Sequence, residues 1–179
     1  ISDSIASGEV GLEFTFDTTK LAGKDTVVFE TLKYKGKEIA NHRDINDDNQ
    51  TLRHPEIKTK AHSAESGTNT GAPSKEEKII DKVKYKNLII GKKYKVIGVL
   101  MDKEKNKPIL NREDKEISAE KEFVAEKADG EIELEFKYDS SLRQDKVTVV
   151  FETLTYKNVP IAVHADINDS AQSIYYPRI

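Results

Sequence analysis

The sequence predicts an all-β protein built from tandem antiparallel β-sandwiches of immunoglobulin-like type. Three observations carry that reading: an internal repeat, a period-two alternation of apolar and polar residues, and no segment with a helical period. The stretch from Gly8 to Ile57 returns from Gly130 to Ile179 at a constant offset of 122 residues without a gap. Over residues 1–57 against 123–179, 27 of 57 positions are identical, too many for two unrelated segments of β composition. HPEI at 54–57 matches YPRI at 176–179, so a complete copy occupies residues 57–179. Residues 1–56 are then the C-terminal half of a first repeat, whose opening part, roughly 65 residues by the same offset, is expected upstream of Ile1. The chain is expected to be a piece of a longer array, because a half-sandwich with open strand edges is prone to aggregate alone.

Within the complete repeat the expected strands follow in order. Residues 57–62 alternate Ile57, Thr59 and Ala61 with Lys58, Lys60 and His62, and in residues 78–86 Ile79, Asp81, Val83 and Tyr85 share one face while Lys82, Lys84 and Lys86 take the other. Strands at 93–101 and 117–124 come next, then 131–138, where Ile132, Leu134, Phe136 and Tyr138 share one face and Glu131, Glu133, Glu135 and Lys137 the other. The last three are 146–155, rich in β-branched residues, then 159–164 and 171–176. Turn-rich pieces separate them: Asn87 to Gly91, KEKNKP and DSSLRQD, with residues 63–78 as a long polar loop.

Composition narrows the function. Charged residues make up 34% of the chain, with 29 Lys and Arg against 32 Asp and Glu, so there is no basic field to attract nucleic acid or anionic lipid. No apolar run approaches the roughly 18 residues of a membrane span, and the first residues lack the pattern of a signal peptide. Cysteine is absent, which removes disulfides, thiolate metal sites and a cysteine nucleophile. A chain working outside the cell must be stapled by something else.

Three polar residues fall on apolar faces: Thr59, Asp81, and Gln172, which shares parity with Ile174 and is matched in the first copy by Gln50 beside Leu52. A buried Asp or Gln without partners costs on the order of 1–3 kcal/mol or more, so these side chains should meet one another or other polar groups inside the sandwich. Any one of them alone reads as an ordinary hydrogen-bonded core residue; three within one domain weaken that reading. The recurring segment H-x-D-I-N-D-x-x-Q supplies His42, Asp44, Asp47 and Gln50 in the first copy and His164, Asp166, Asp169 and Gln172 in the second. Glu30 and Glu152 close the repeated TVVFE strand. A histidine beside an acid and opposite a hydroxyl is a residue set for activating a nucleophile, since imidazole takes the proton and a carboxylate steadies it.

Taken in order, Ile57-x-Thr59, IIDKVKYKNL (79–88), GKKYKVIGVLMDK (91–103), VVFETL (149–154) and HADINDSAQ (164–172) resemble the Thr-Gln ester-bond domains, or VaFE repeats, of Gram-positive adhesins and pilus-like surface proteins. The resemblance covers the whole chain and implies CnaB-like sandwiches. It implies that Thr59 attacks the carboxamide carbon of Gln172, ammonia leaves, and an ester joins the first strand to the last. It also implies helpers: His164 as the base for Thr59, and Asp81 with Glu152 as an acid pair that holds a proton and polarises the amide. The first copy has Glu30, His42 and Gln50 but no matching Thr or Asp, so a cross-link there needs the missing half. The function so implied is a structural stalk module of a cell-wall-anchored, extracellular adhesin. It would perform one autocatalytic turnover and would not be an enzyme. The expected partners are neighbouring repeats of the same chain, with any host ligand carried by another domain; no nucleic acid, cofactor or metal is expected.

Three other readings compete. DINDDNQ (44–50) resembles a calcium-ligating linker, although the second copy, DINDSAQ, loses an acid and an amide. A hydrolase would use Thr59 or a serine with His164, yet there is no G-x-S-x-G elbow and no Gly-rich phosphate loop. A passive spacer would leave the polar residues uncoupled. His54 and His62 read as surface or junction residues.

Overall fold

Where the sequence alternates and finds a partner, it pairs. The computed structural model describes residues 7–178; Ile179, where the YPRI match ends, and residues 1–6 lie outside them. In the first copy the strands are β1 (Lys24–Val27), β2 (Glu30–Tyr34), β3 (Lys37–His42) and, after a 3-10 turn at Asp48–Gln50, β4 (Thr51–His54). The complete repeat begins with β5 (Glu56–Ser63), β6 (Glu77–Lys86), β7 (Lys93–Asp102) and the two-residue β8 (Lys107–Pro108). It continues with β9 (Ser118–Val124), β10 (Gly130–Tyr138), β11 (Val147–Tyr156), β12 (Val159–His164) and, after a second 3-10 turn at Ser170–Gln172, β13 (Ser173–Tyr175).

The complete repeat is an antiparallel sandwich. One sheet runs β10-β6-β5; the other is centred on β11, with β12 and β13 on one edge and β7 on the opposite edge, and β7 in turn carries β8 and β9. Ile57, Ile79, Val83, Leu134 and Phe136 from the first sheet meet Val96, Leu100, Val150 and Leu154 from the second, with Ile174 of β13 in the same core. The outward face of the first sheet carries Lys–Glu pairs such as Lys78–Glu135 at 2.7 Å and Lys82–Glu133 at 3.4 Å. This explains how two highly charged strands lie side by side without repulsion. The sheets close tightly at Gly98 in β7, where a Cβ would lie 2.6 Å from Phe136 Cζ and 2.8 Å from Leu134 Cδ1.

Two expected elements change. The KEKNKP segment contains β8 as well as a turn, because Lys107 and Pro108 fold back on Asp102 and Met101. The segment 171–176 is not a strand throughout: it opens as the end of a 3-10 turn, and Gln172, Ser173 and Ile174 are buried in succession. Alternation placed Gln172 inward correctly, but the turn is what puts it there. Within the polar loop, Thr70 bridges Tyr175 in parallel and Gly71 N donates to Tyr175 O at 2.9 Å, so the loop flanks β13.

The first copy shows what the same sequence does without partners. GEVGLEF (8–14) forms no strand, whereas GEIELEF (130–136) is β10, paired along its length with β6. Phe14 is 58% exposed where Phe136, its equivalent, is 1% exposed. TVVFETL, continuous in β11 alongside β7, breaks between β1 and β2. Strand formation here is decided by the neighbouring strand, not by local propensity.

Candidate functional site

Thr59 sits on β5 with its side chain inward, and β5 pairs with β6 so that Thr59 lies opposite Val83 and Ala61 opposite Asp81. Both polar side chains therefore enter the core from the same sheet. Glu152 enters from the facing sheet, mid-way along β11, with Gly98 and His164 as its cross-strand neighbours. Gln172 closes the set from the second 3-10 turn. Asp81, Glu152 and Gln172 are 0%, 1% and 0% exposed, so none is hydrated by bulk water and each depends on the others.

Two hydrogen bonds within this cluster cross the sandwich. Thr59 Oγ1 donates to Glu152 Oε2 at 3.1 Å, and Gln172 Nε2 donates to Asp81 Oδ1 at 3.4 Å. The acceptor of the Thr59 hydroxyl is thus Glu152, whose cross-strand neighbour on β12 is His164. Asp81 Oδ2, Glu152 Oε1 and Gln172 Oε1 are buried without a hydrogen-bond partner. Burial raises the carboxyl of Asp81, against hydrogen bonds from Glu152 and Gln172 that lower it. Burial, then the charge of Asp81 and the hydrogen bond to it, push Glu152 up to about 11. The pair therefore keeps a proton near neutral pH, because two close carboxylates in a dry site resist double ionisation.

His164 Nε2 lies 2.8 Å from Asp169 Oδ2. Asp169 also holds the turn that carries Gln172: its Oδ1 accepts from Ala171 N at 2.8 Å, and its backbone oxygen accepts from Ser173 Oγ at 2.7 Å. One residue orients the imidazole and shapes the turn bearing the carboxamide. Sequence reasoning placed Asp169 in the repeated motif without giving it this task; the signal was its recurrence as Asp47.

The first copy keeps this half of the arrangement. Glu30 pairs with His42 across β2 and β3, His42 Nε2 lies 3.0 Å from Asp47 Oδ2, and Asp47 Oδ1 accepts from Asn49 N at 2.8 Å. Thr51 Oγ1 donates to Asp47 O at 2.7 Å, as Ser173 does to Asp169, and Gln50 is half-buried at the end of its turn. Asp44 Oδ1 accepts from Asn46 N at 2.9 Å, so the acids of DINDDNQ act in turns; among the described residues no group of three or more His, Asp or Glu is set to hold a metal. His54 is half-buried at the junction, its Nε2 2.9 Å from Thr26 Oγ1, and His62 is half-buried on β5.

A family profile described as "T-Q ester bond containing domain" matches residues 2–54 and again 55–176. No curated protein matches the sequence. Among solved structures, two crystal forms of a bacterial adhesin from Mobiluncus mulieris, which contains intramolecular disulfide, isopeptide and ester bond cross-links, align with a TM-score of 0.55. They are 18% and 19% identical over 70% of this chain and 58% of theirs. The chain thus spans less than two thirds of the adhesin's length, and the likeness is one of fold.

Proposed function

Because the chain belongs to the family of T-Q ester bond containing domains, we propose that its complete repeat cross-links itself once, by an ester from Thr59 to Gln172. The observation that carries this is the burial of Thr59, Glu152, Asp81 and Gln172 in one dry cluster, linked by hydrogen bonds between groups 93 and 91 residues apart. In the reaction Thr59 Oγ1 forms a bond to the carboxamide carbon of Gln172, the C–N bond breaks, and ammonia leaves. With the acid pair's single proton on Asp81, Glu152 is a carboxylate and takes the hydroxyl proton to which it is hydrogen-bonded; that proton, directly or by way of His164 and Asp169, is returned to the carboxamide nitrogen, which leaves as ammonia. The proton held by the acid pair is presented from Asp81. A half-turn of the carboxamide puts its oxygen, now without a donor, where Nε2 stands, 3.4 Å from Asp81 Oδ1. A protonated Asp81 then polarises the carbonyl and supports the negative charge that develops on it.

The product suits a stalk module of an extracellular, cell-wall-anchored adhesin on a Gram-positive bacterium. In a tandem array pulled from its ends, load enters at the first and last strands of each repeat, and an ester between them carries it outside the hydrogen-bond ladder. Unlike a disulfide, the bond needs no oxidant, which suits a chain with no cysteine. The chemistry is a single turnover, with neighbouring repeats as partners and any host ligand carried elsewhere. Glu30, His42 and Gln50 are the acceptor half of the same site in the first repeat.

Intact-mass spectrometry of the folded chain tests the proposal. The expected mass is that of the sequence less one ammonia, and tandem fragmentation should place the link between peptides holding Thr59 and Gln172. Folded protein at the full sequence mass would overturn it.

A further inference from the structure

The two repeats are separated by a single residue, Pro55, between β4 and β5. A one-residue linker limits reach but does not by itself fix an angle. A polar contact beside it does. Asn87 follows β6 in the turn toward β7 and adopts the left-handed conformation, with φ of 64°. Its backbone N–H donates to Asp129 Oδ1 at 3.0 Å, which ties the turn to its own repeat.

The side chain of Asn87 crosses to the other repeat. Its Nδ2 donates to Lys24 O at 2.9 Å and to Asp25 Oδ1 at 2.6 Å, and its Oδ1 accepts from Arg53 Nη1 at 3.3 Å. Asp25 and Arg53 are themselves cross-strand partners on β1 and β4, with Arg53 Nη1 3.7 Å from Asp25 Oδ2. Both amide hydrogens of Asn87 are therefore used, and its oxygen faces the one cation of that pair. On the same side, Gly23 N donates to His54 O at 2.7 Å, and a Cβ at Gly23 would lie 3.2 Å from Glu56 Oε2, so the chain crosses the junction in close contact.

We infer that Asn87 is an inter-repeat latch: it docks on the Asp25–Arg53 pair of the preceding repeat and holds the two repeats at one relative orientation. The surface it recognises is an acid and a guanidinium side by side on a two-stranded ladder, read by an amide that satisfies both. The latch is particular to this junction. At the equivalent positions the second repeat has Val147 and Tyr175, which offer no acid–guanidinium pair. The latch is independent of the ester, since no latch residue belongs to the Thr59–Gln172 cluster.

The absence of cysteine makes the test direct. Spin labels at Asn49→Cys and Lys121→Cys, both exposed positions, report the distance between repeats by pulsed electron-electron resonance. The full chain should give one narrow distance peak, and so should the full chain carrying Thr59→Ala, which separates this inference from the cross-link. Asn87→Gly keeps the left-handed turn and removes only the amide; the narrow peak should be lost. Arg53→Met, which attacks the same contact from the other repeat, should do the same. A broad distribution in the unsubstituted chain, or a narrow one retained in both variants, would overturn the latch.

Discussion

Thr59 Oγ1 lies 3.1 Å from Glu152 Oε2, and the two residues come from facing sheets of the sandwich. On the proposed mechanism the nucleophile is thus held before reaction by the group that first receives its proton. Removing the hydroxyl removes the proposed ester and with it the closure of a loop of over a hundred residues between Thr59 and Gln172. In the chain-entropy account of cross-links that closure is worth about 4–5 kcal/mol. Thr59→Ala should restore the full sequence mass and lower the thermal midpoint of the complete repeat by well over 10 °C, roughly 4 °C or more for each kcal/mol. Calorimetry of the two proteins at one pH measures it; equal midpoints would show that the bond contributes nothing to stability.

Glu152, pushed up to about 11 by burial and by Asp81, keeps with Asp81 one shared proton in the folded repeat through the physiological range. In the unfolded chain it ionises near its ordinary value of 4.5, so above that pH the folded state binds the extra proton. Stability then falls as pH rises from about the ordinary carboxylate range toward the folded value. Denaturant unfolding of Thr59→Ala, which has no ester to mask the effect, should give a lower midpoint at pH 9 than at pH 6. Adding Glu152→Gln, which leaves no proton to lose at this position, should flatten that slope. Glu152→Gln alone should leave the chain at full sequence mass, because its amide cannot accept the Thr59 proton as a carboxylate does.

How much of this was legible in the sequence depended on whether the deciding interaction was local or distant. Leu134 and Phe136 could be placed in the core because a strand alternates, and Thr59 and Asp81 followed by the same rule. The identical Leu12 and Phe14 could not be told apart from them, since the difference lies in pairing: Leu134 and Phe136 have β6 alongside, while Leu12 and Phe14 lie in no strand and are exposed. Gln172 was placed inward by parity with Ile174, yet a 3-10 turn capped by Asp169 does the placing. Short turns have no periodicity to read. The hydrogen bond of Thr59 was equally hidden: Glu152 and His164 are cross-strand neighbours, and the hydroxyl reaches Glu152 from the facing sheet, 93 residues away in the chain.

Gly98 supports the site from behind. It is the cross-strand neighbour of Glu152, and its missing Cβ makes room for Phe136 and Leu134 of the opposite sheet. Gly98→Ala puts a methyl group within 2.6 Å of Phe136 Cζ, an overlap that must be relieved by moving the ring or spreading the sheets. Overpacking of this kind costs about 1–3 kcal/mol. Because Thr59 and Glu152 face each other across the same gap, the variant should also cross-link more slowly. A time course of ammonia loss during refolding measures the rate, and a variant as fast as the parent would show that the sheet spacing at Gly98 does not set the reacting distance.

Asp169 does two jobs with two oxygens, and a single substitution separates them. Its Oδ1 accepts from Ala171 N at 2.8 Å and caps the turn that presents Gln172, while its Oδ2 meets His164 Nε2 at 2.8 Å. Asp169→Asn can keep the cap, because the amide oxygen accepts as well as a carboxylate oxygen does. It places an NH2 donor against His164 Nε2, however, so the imidazole must present that nitrogen unprotonated and carry its hydrogen on Nδ1. It also removes the negative charge that would steady an imidazolium. If His164 takes up the proton that leaves Thr59, ester formation should slow by about 10²-fold or more, the lower end of what general-base catalysis contributes. The midpoint of unfolding should change little in a Thr59→Ala background, where only the cap matters. Asp169→Ala loses both interactions, and its slower reaction should come with a measurable loss of stability. A normal rate in Asp169→Asn would remove His164 from the proton path and leave the acid pair as the whole of the catalytic machinery.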